Sequence, residues 1–476
     1  MKIHNVRLGF ATNSSSSHSI IFDPSITPRD EYEDFGWSFF TASSRKAKSE
    51  YLAATLRQNL SRELPDLLVM AILRGLGFPE QEKNEWGEHG PSVDHQSLFN
   101  LPYEFGTNHV SLEFFEEFKN YLMRDGIHIL GGNDNTEDVH PLYDSGNPVY
   151  FGNWGPDRSA CVCRKDGDWW TLYSRITGDR VVLTFNDNAA EYAPLTPMLM
   201  DVKITDYCSH GCAYCYQGST TEGKHMKESE EYSYASLISE ANVFEIAIGG
   251  GEPTQCPSFE RFIRFVNNTG VVVNFTTKST DWLEDEDRAN MILPHIGAFA
   301  YSAGENSEVS LDRIYTIFKY RGYDLKKFSV QVVPATMSKF QFQSILKKCH
   351  QIGVRVTLLG FKETGRGLKF KEIAINRRWN KFDETEWLTV IEELNQEKCL
   401  PRLSIDTTLA SRYTTELKKS GIPDWLYHVE EGKYSMYMDF VNKLYGPSSY
   451  HLNKLKFYDG PYQSDIQELF SRVEEV

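Results

Sequence analysis

At 476 residues, with 40% hydrophobic and 13% aromatic side chains, the chain is too long for one ordinary domain and can build a large core. A formal net charge of −16 argues against a surface made chiefly to track phosphates, so a large nucleic acid is not an expected partner. No uncharged apolar run reaches the roughly 18 residues of a membrane span. The opening "MKIHNVRLGF" lacks the order of a secretory signal, so a soluble, cytoplasmic protein is expected.

Residues 12–19 carry the polar run "TNSSSSHS", and residues 24–44 read as loop. Ser and Asn runs commonly make turns and caps through side-chain bonds to backbone. The sharper alternative is a lid, or a segment that is itself modified, with His18 and the hydroxyls near a reactive site. From Ser49 to Glu63 the apolar stripe Leu52, Leu56, Leu60 predicts a helix. Pro65 opens a second helix that runs to Arg74 and ends at Gly75 and Gly77. "SLEFFEEFKNYLMRDG" predicts a third, with Ser111 as its N-cap. "SACVCR", "DWWTLYSR" and "RVVLTF", parted by Gly-containing turns, read as a three-stranded meander.

From Met198 the rhythm changes to strand and helix in alternation. The predicted strands are "MLMDVKIT", "VFEIAIGG", "GVVVNFTT", "IGAFAYSA", "KFSVQVVP" and "GVRVTLLG", with helices over 258–267 and 339–351 among those between them. Such alternation implies a parallel sheet covered by helices, here as a partial α/β barrel or a curved open sheet. A further helix is predicted over 382–398, and the tail beyond 400 is mixed. The expected organisation is an N-terminal α+β accessory region over 1–195, a partial barrel over 196–380 and a C-terminal extension over 381–476.

Two short motifs carry chemistry. "DYCSHGCAYCYQGS" places Cys208, Cys212 and Cys215 just after the first strand of the alternating region. Ligands of α/β folds bind beyond the carboxyl ends of strands. A structural zinc site closes with four protein ligands, whereas a short loop of thiolates suits an iron–sulfur cluster. Three local thiols leave one place free. The second motif, "IAIGGGEPT", follows the second strand and holds Gly249, Gly250, Gly251, Glu252 and Pro253. Its glycines permit close backbone approach, and Glu252 offers a carboxylate for a cationic amine. The bland readings are incidental or zinc-bound cysteines and an ordinary surface turn.

Together the Cys-x3-Cys-x-aromatic-Cys loop, with Tyr214 as its aromatic residue, and the Gly-Gly-Glu-Pro turn resemble the radical S-adenosylmethionine (SAM) superfamily. The resemblance covers roughly residues 198–370. It implies a radical SAM enzyme, of oxidoreductase or transferase type, with a partial (β/α)6 barrel. It implies that the three thiolates hold a single [4Fe-4S] cluster whose fourth iron is chelated by SAM. Reductive cleavage would then give a 5′-deoxyadenosyl radical for C–H activation, with electrons from a donor such as a flavodoxin or ferredoxin. It also implies SAM contacts from Tyr214, from Thr277 and Lys278 after the third strand, from Ser302 and Gln331 on the fourth and fifth, and from Leu359 and Gly360 after the sixth.

The other cysteines, Cys161, Cys163, Cys256, Cys349 and Cys399, are scattered, and packing is their expected role. The tail resembles in outline the extensions that carry extra clusters in peptide-modifying relatives, but has Thr and Ser where cysteines would stand. A peptide or protein is the expected substrate. The alternatives are a small metabolite or nucleotide, or, in another class, a non-catalytic iron–sulfur sensor. Residues 361–382 hold seven basic and two acidic residues. They read either as a solvated face or as a rim that holds a carboxylate, phosphate or peptide backbone through Arg366, Arg377 or Arg378.

Overall fold

The computed structural model describes residues 2–7, 19–22, 30–32, 34–36, 40–61, 64–78, 90–93, 101–107, 109–131, 149–150, 161–376, 386–419, 427 and 429–476. The Ser run up to His18, and Arg377 and Arg378, lie outside them. The chain forms two compact units, Met1–Glu191 and Tyr192–Val476.

The first unit contains β1 (Lys2–Arg7), β2 (Ser19–Phe22), β3 (Phe40–Ala42), α1 (Arg45–Leu60), α2 (Asp66–Gly75), β4 (Tyr103–Glu104) and α3 (Leu112–Leu122). It continues with β5 (Ile127–Gly131), β6 (Val149–Tyr150), β7 (Cys161–Asp166), β8 (Trp169–Ser174) and β9 (Arg180–Thr184). The predicted meander is β7–β8–β9, extended by β1 and β4 into a sheet of order β1-β9-β8-β7-β4. A second sheet has the order β3-β5-β2-β6. The first helix starts four residues earlier than its leucine stripe suggests, because the Ser44 hydroxyl accepts a bond from the Ala47 N–H at 3.1 Å. Helix α3 has the predicted Ser111 cap. It sets Phe114 edge-on to Trp170 at 5.3 Å and against Phe185 at 5.6 Å. Cys161 and Cys163 are both buried, as packing thiols would be.

The second unit opens with β10 (Leu199–Thr205), α4 (Glu231–Glu240), β11 (Glu245–Gly250), α5 (Phe259–Asn268) and β12 (Val272–Thr277). There follow α6 (Asp281–Glu284), α7 (Glu286–Ile292), β13 (Ala298–Ala303), α8 (Glu308–Arg321), β14 (Phe328–Val332), α9 (Lys339–Ile352), β15 (Arg355–Leu358) and α10 (Arg366–Asn376). These are the six βα units of the partial barrel. The rest is α11 (Trp387–Gln396), β16 (Leu403–Ile405), α12 (Thr407–Arg412), α13 (Thr414–Lys419), β17 (Ser435–Asp439), β18 (Leu444–Gly446), β19 (Lys456–Phe457) and α14 (Ile466–Ser471).

Among the described residues the sheet order is β16-β15-β14-β13-β12-β11-β10-β17-β18-β19. Strands β17 and β10 through β16 run parallel, and β18 and β19 turn back antiparallel. The segment beyond residue 380 therefore contributes strands to the same sheet, β17 beside β10 and β16 at the far edge. No helix of the described residues is long and apolar enough to cross a membrane.

Parallel strands covered on both faces are usually apolar on both. Here the two faces differ. One carries Val202, Ile248, Phe275, Phe299, Val330 and Val356, each no more than 2% exposed. The stacked rings of Phe275, Phe299 and Phe328, at 5.7 and 5.3 Å, run across three strands there. Burying each such ring contributes about 1.5–3 kcal/mol. The other face is polar or small. Its register rows include Tyr437, Asp201, Ala247 and Asn274, and then Ser302, Gln331, Thr357 and Ser404. A sheet face that is not a hydrophobic core is free to line a site.

Candidate functional site

The cysteine loop leaves the carboxyl end of β10 and is fixed by backbone bonds of its own. Cys208 N–H donates to Thr220 O at 2.9 Å, and Cys215 N–H to Cys212 O at 3.2 Å. All three thiols are partly exposed and none is in a disulfide. Burial, helped by Glu252, Cys212 and Cys215, pushes the Cys208 thiol above its ordinary range against a bond from the His210 N–H. Among the described residues no three His, Cys, Asp or Glu side chains converge on a single metal ion. A cluster gives each thiolate a different iron. A fourth local thiol is lacking: Cys256 is 1% exposed and its Sγ faces the Ile204 carbonyl at 3.8 Å. The donor set thus fits a cluster with three protein ligands.

The Gly-Gly-Glu-Pro turn lies directly on this loop. Gly251 N–H donates to Thr205 O at 2.7 Å and Glu252 N–H to Tyr207 O at 2.8 Å. A Cβ at Gly251 would stand 2.0 Å from Tyr207 O, and one at Gly250, where φ is +114°, 2.4 Å from Thr205 O. The glycines were expected to admit a ligand. These two instead admit the cysteine loop's own backbone, while a Cβ at Gly249 would meet open space.

Glu252 is 2% exposed and caps the short turn begun by Pro253. Its Oε1 accepts from the hydroxyls of Thr254 and Thr277, both at 2.7 Å, and its Oε2 from Lys278 N–H at 2.8 Å. His210 Nε2 stands 3.6 Å from Oε2. Burial opposes ionisation of this carboxyl, but the His210, Thr277, Lys278 and Thr254 contacts outweigh it and hold the group below the usual carboxylate range. The carboxylate expected to face a cationic amine is thus engaged by protein donors. His210, an apparent loop residue, touches it.

The remaining predicted residues gather at the carboxyl ends of the strands. Lys278 Nζ lies 3.5 Å from the Tyr214 hydroxyl, and the Tyr214 ring meets Phe370 of α10 edge-on at 5.7 Å. Burial works against the Lys278 charge, yet Tyr214 and Cys212 raise its pKa overall. Ser302 and Gln331 are register partners on β13 and β14, and Gln331 Oε1 accepts from Thr276 at 3.3 Å. Leu359 N–H bonds Val332 O at 2.8 Å. Gly360 donates to Asp406 Oδ1 at 2.9 Å, and its missing side chain makes room for Thr408, 2.7 Å from a Cβ there.

A second polar group was not foreseen. Lys362 Nζ lies 5.1 Å over the Tyr216 ring, 4.8 Å over the Tyr450 ring and 3.8 Å from Asp406 Oδ2. The Tyr450 hydroxyl donates to Glu431 at 2.6 Å. Asp201, on the polar face of β10, completes the group. Burial, with Glu245 and Asp406 adding to it against Lys362, pushes Asp201 up to about 6. Burial likewise pushes Glu431 up to about 7, with Asp201 and Asp406 adding and Tyr450 and Lys362 opposing. The six residues come from widely separated stretches, so their main sequence signal was an aspartate inside the apolar run "MLMDVKIT". Of the basic stretch, Lys362 thus faces carboxylates, and Arg366 binds backbone carbonyls of the cysteine loop.

Residues 202–326 match the family described as the radical SAM superfamily. Among solved structures, Streptococcus suis SuiB bound to its precursor peptide SuiA is 13% identical, with 65% of this chain and 87% of that chain covered and a TM-score of 0.49. SuiB bound to S-adenosylmethionine gives 14% identity, 66% and 87% coverage and a TM-score of 0.49. AnSMEcpe with bound AdoMet and the Cp18Cys peptide gives 14%, 58% and 80%, with a TM-score of 0.37. No curated protein matches the chain.

Proposed function

The chain belongs to the radical SAM superfamily, and from that premise we propose that it cleaves S-adenosylmethionine reductively and uses the radical for C–H activation on a peptide or protein. Cys208, Cys212 and Cys215 would hold a [4Fe-4S] cluster, which together with S-adenosylmethionine would supply a 5′-deoxyadenosyl radical. The chain's own residues position and seclude. Tyr214, Gly249, Gly250, Gly251, Pro253, Thr277, Lys278, Ser302, Gln331, Leu359 and Gly360 frame the cosubstrate at the strand ends, and Glu252 holds two of those ends together.

The observation that carries this reading is the contact between the two motifs, Gly251 N–H on Thr205 O and Glu252 N–H on Tyr207 O. A sensor that only held a cluster would not need the second motif.

The substrate assignment rests on the long polar sheet face and on a separate unit of residues 1–191, more apparatus than a small metabolite requires. A phosphate-bearing metabolite or nucleotide draws its main support from the basic stretch after β15. There Lys362 is matched by Asp406, and Arg366 is bonded to backbone. A one-electron donor of the flavodoxin or ferredoxin kind completes the reading.

The test is anaerobic reconstitution with iron and sulfide, reduction with SAM present, and chromatographic assay of 5′-deoxyadenosine. Slow formation is expected even without substrate, and none from Cys212→Ala. Equal, background levels in both would favour the sensor.

A further inference from the structure

The loop that carries the three thiols is held from outside by the turn after β15. Arg366, the first residue of α10, is its centre. The guanidinium donates through Nε to Cys212 O at 2.8 Å and through Nη1 to Ser219 O at 2.7 Å. The Arg366 backbone N–H donates to Cys215 O at 2.9 Å. Two residues earlier, the Thr364 hydroxyl donates to Tyr216 O at 3.1 Å. Between them Gly365, at φ +54°, presses so close that a Cβ would lie 2.4 Å from Tyr216 O. Thr364 and Arg366 thus occupy four carbonyls within the eight-residue stretch from Cys212 to Ser219.

We propose that Arg366 is a positioning residue for the cluster: it clamps the carbonyls of Cys212, Cys215 and Ser219 and so sets the thiols in place before iron arrives. The inference rests on the function proposed above. A short loop with three thiols has little side-chain packing to fix it, and an irregular backbone keeps its shape only when its polar groups are satisfied. A guanidinium is suited to this because its donors form a rigid planar fork that spans two acceptors at once, which an ammonium cannot do. The same contact sets a fixed positive charge beside a loop that will carry thiolates. Charge near a cluster is one of the levers on its reduction potential. Nη2 is buried without a protein partner.

The experiment compares the wild-type chain with Arg366→Gln and Arg366→Lys. Each is reconstituted at limiting iron and read by iron and sulfide content, by the EPR spectrum of the reduced cluster, and by melting of the iron-free chain. Outer contacts of this kind change metal affinity by about 10-fold or more when lost. Arg366→Gln is expected to load about 10-fold less at limiting iron, with an altered EPR line shape and unchanged melting. Arg366→Lys keeps the charge without the fork and should load between the two. Wild-type loading and spectrum in Arg366→Gln would overturn the assignment. So would a loading loss matched by a fall in melting temperature, since that is general unfolding. If Arg366→Gln is insoluble, Arg366→Lys decides, and wild-type loading there overturns the clamp. A wild-type chain that takes up no cluster sinks the functional reading and the clamp with it. A wild type that loads beside a variant that loads equally sinks the clamp alone.

Discussion

The Thr277 hydroxyl donates to Glu252 Oε1 at 2.7 Å, so the last residue of β12 is fastened to the turn that follows β11. The same oxygen takes the Thr254 hydroxyl, and the other takes Lys278 N–H. Glu252→Ala would remove the acceptor shared by the Thr254 and Thr277 hydroxyls and the Thr254 and Lys278 N–H groups around a buried site. The expected loss is about 3 kcal/mol, against about 1–2 kcal/mol for Thr277→Val, which removes one donor to the carboxylate and the acceptor of Ser279 N–H. Urea unfolding of the iron-free chain measures both. Equal losses would show that the carboxylate does not act as this bracket.

Gly251→Ala should be more damaging than its size suggests. The added methyl would meet Tyr207 O at 2.0 Å, on backbone that the cysteine loop cannot withdraw. Overpacking of this kind costs about 1–3 kcal/mol. Here it also parts the two motifs, so cluster loading should fall with stability. Gly249→Ala, which meets open space, should leave stability unchanged and serves as the control.

Lys203 on β10 pairs with Asp439 on β17 at 2.9 Å, with side chains 8% and 3% exposed. Asp206 pairs with the same ammonium. Removing one partner of a buried pair typically costs about 3–5 kcal/mol. Asp439 also accepts from Val441, Asn442 N–H and Asn442 Nδ2, each at 2.9 Å. Lys203→Met is therefore expected near 3 kcal/mol, the low end of that range. In a double-mutant cycle with Asp439→Asn the two losses should sum to more than the double mutant's. Strict additivity would mean the pair contributes nothing of its own.

The Asp201, Glu431 and Lys362 group gives the stability a pH dependence of unusual sign. Glu431 is raised in the folded chain from 4.5 to about 7. Between those values the folded state holds a proton that the unfolded state has released. Its contribution is fully present below about pH 4.5 and is lost as pH rises through about 7. Asp201 acts in the same direction between 3.8 and about 6. Glu431→Gln should flatten the decline across the upper part of that window, as read by midpoints of urea unfolding at successive pH values. An unchanged slope would show that Glu431 titrates normally.

The six barrel strands were legible because each is a β-rich run bounded by turn residues and followed by a helical pattern. The strands of the tail were not. β17 has five residues, β18 three and β19 two, and "SMYMD" carries no alternation that a loop would lack. The proposed cysteine ligand set was legible from spacing. Arg366 was legible only as a charge, because its acceptors are main-chain carbonyls, which have no signature in sequence. For the glycines of the second motif close approach was legible, but only the fold reveals that Thr205 and Tyr207 stand against Gly250 and Gly251.

The neighbour of β10 on one side is β17, register-matched from Leu199 with Ser435 to Lys203 with Asp439. The strand that launches the cysteine loop is therefore left half-paired until residues 435–439 are in place. Contacts of such sequence separation form late. A chain that stopped before residue 435 would present Cys208, Cys212 and Cys215 from an unfinished sheet. Loss of β17, far from the motifs in sequence, would loosen the strand that launches the cysteine loop.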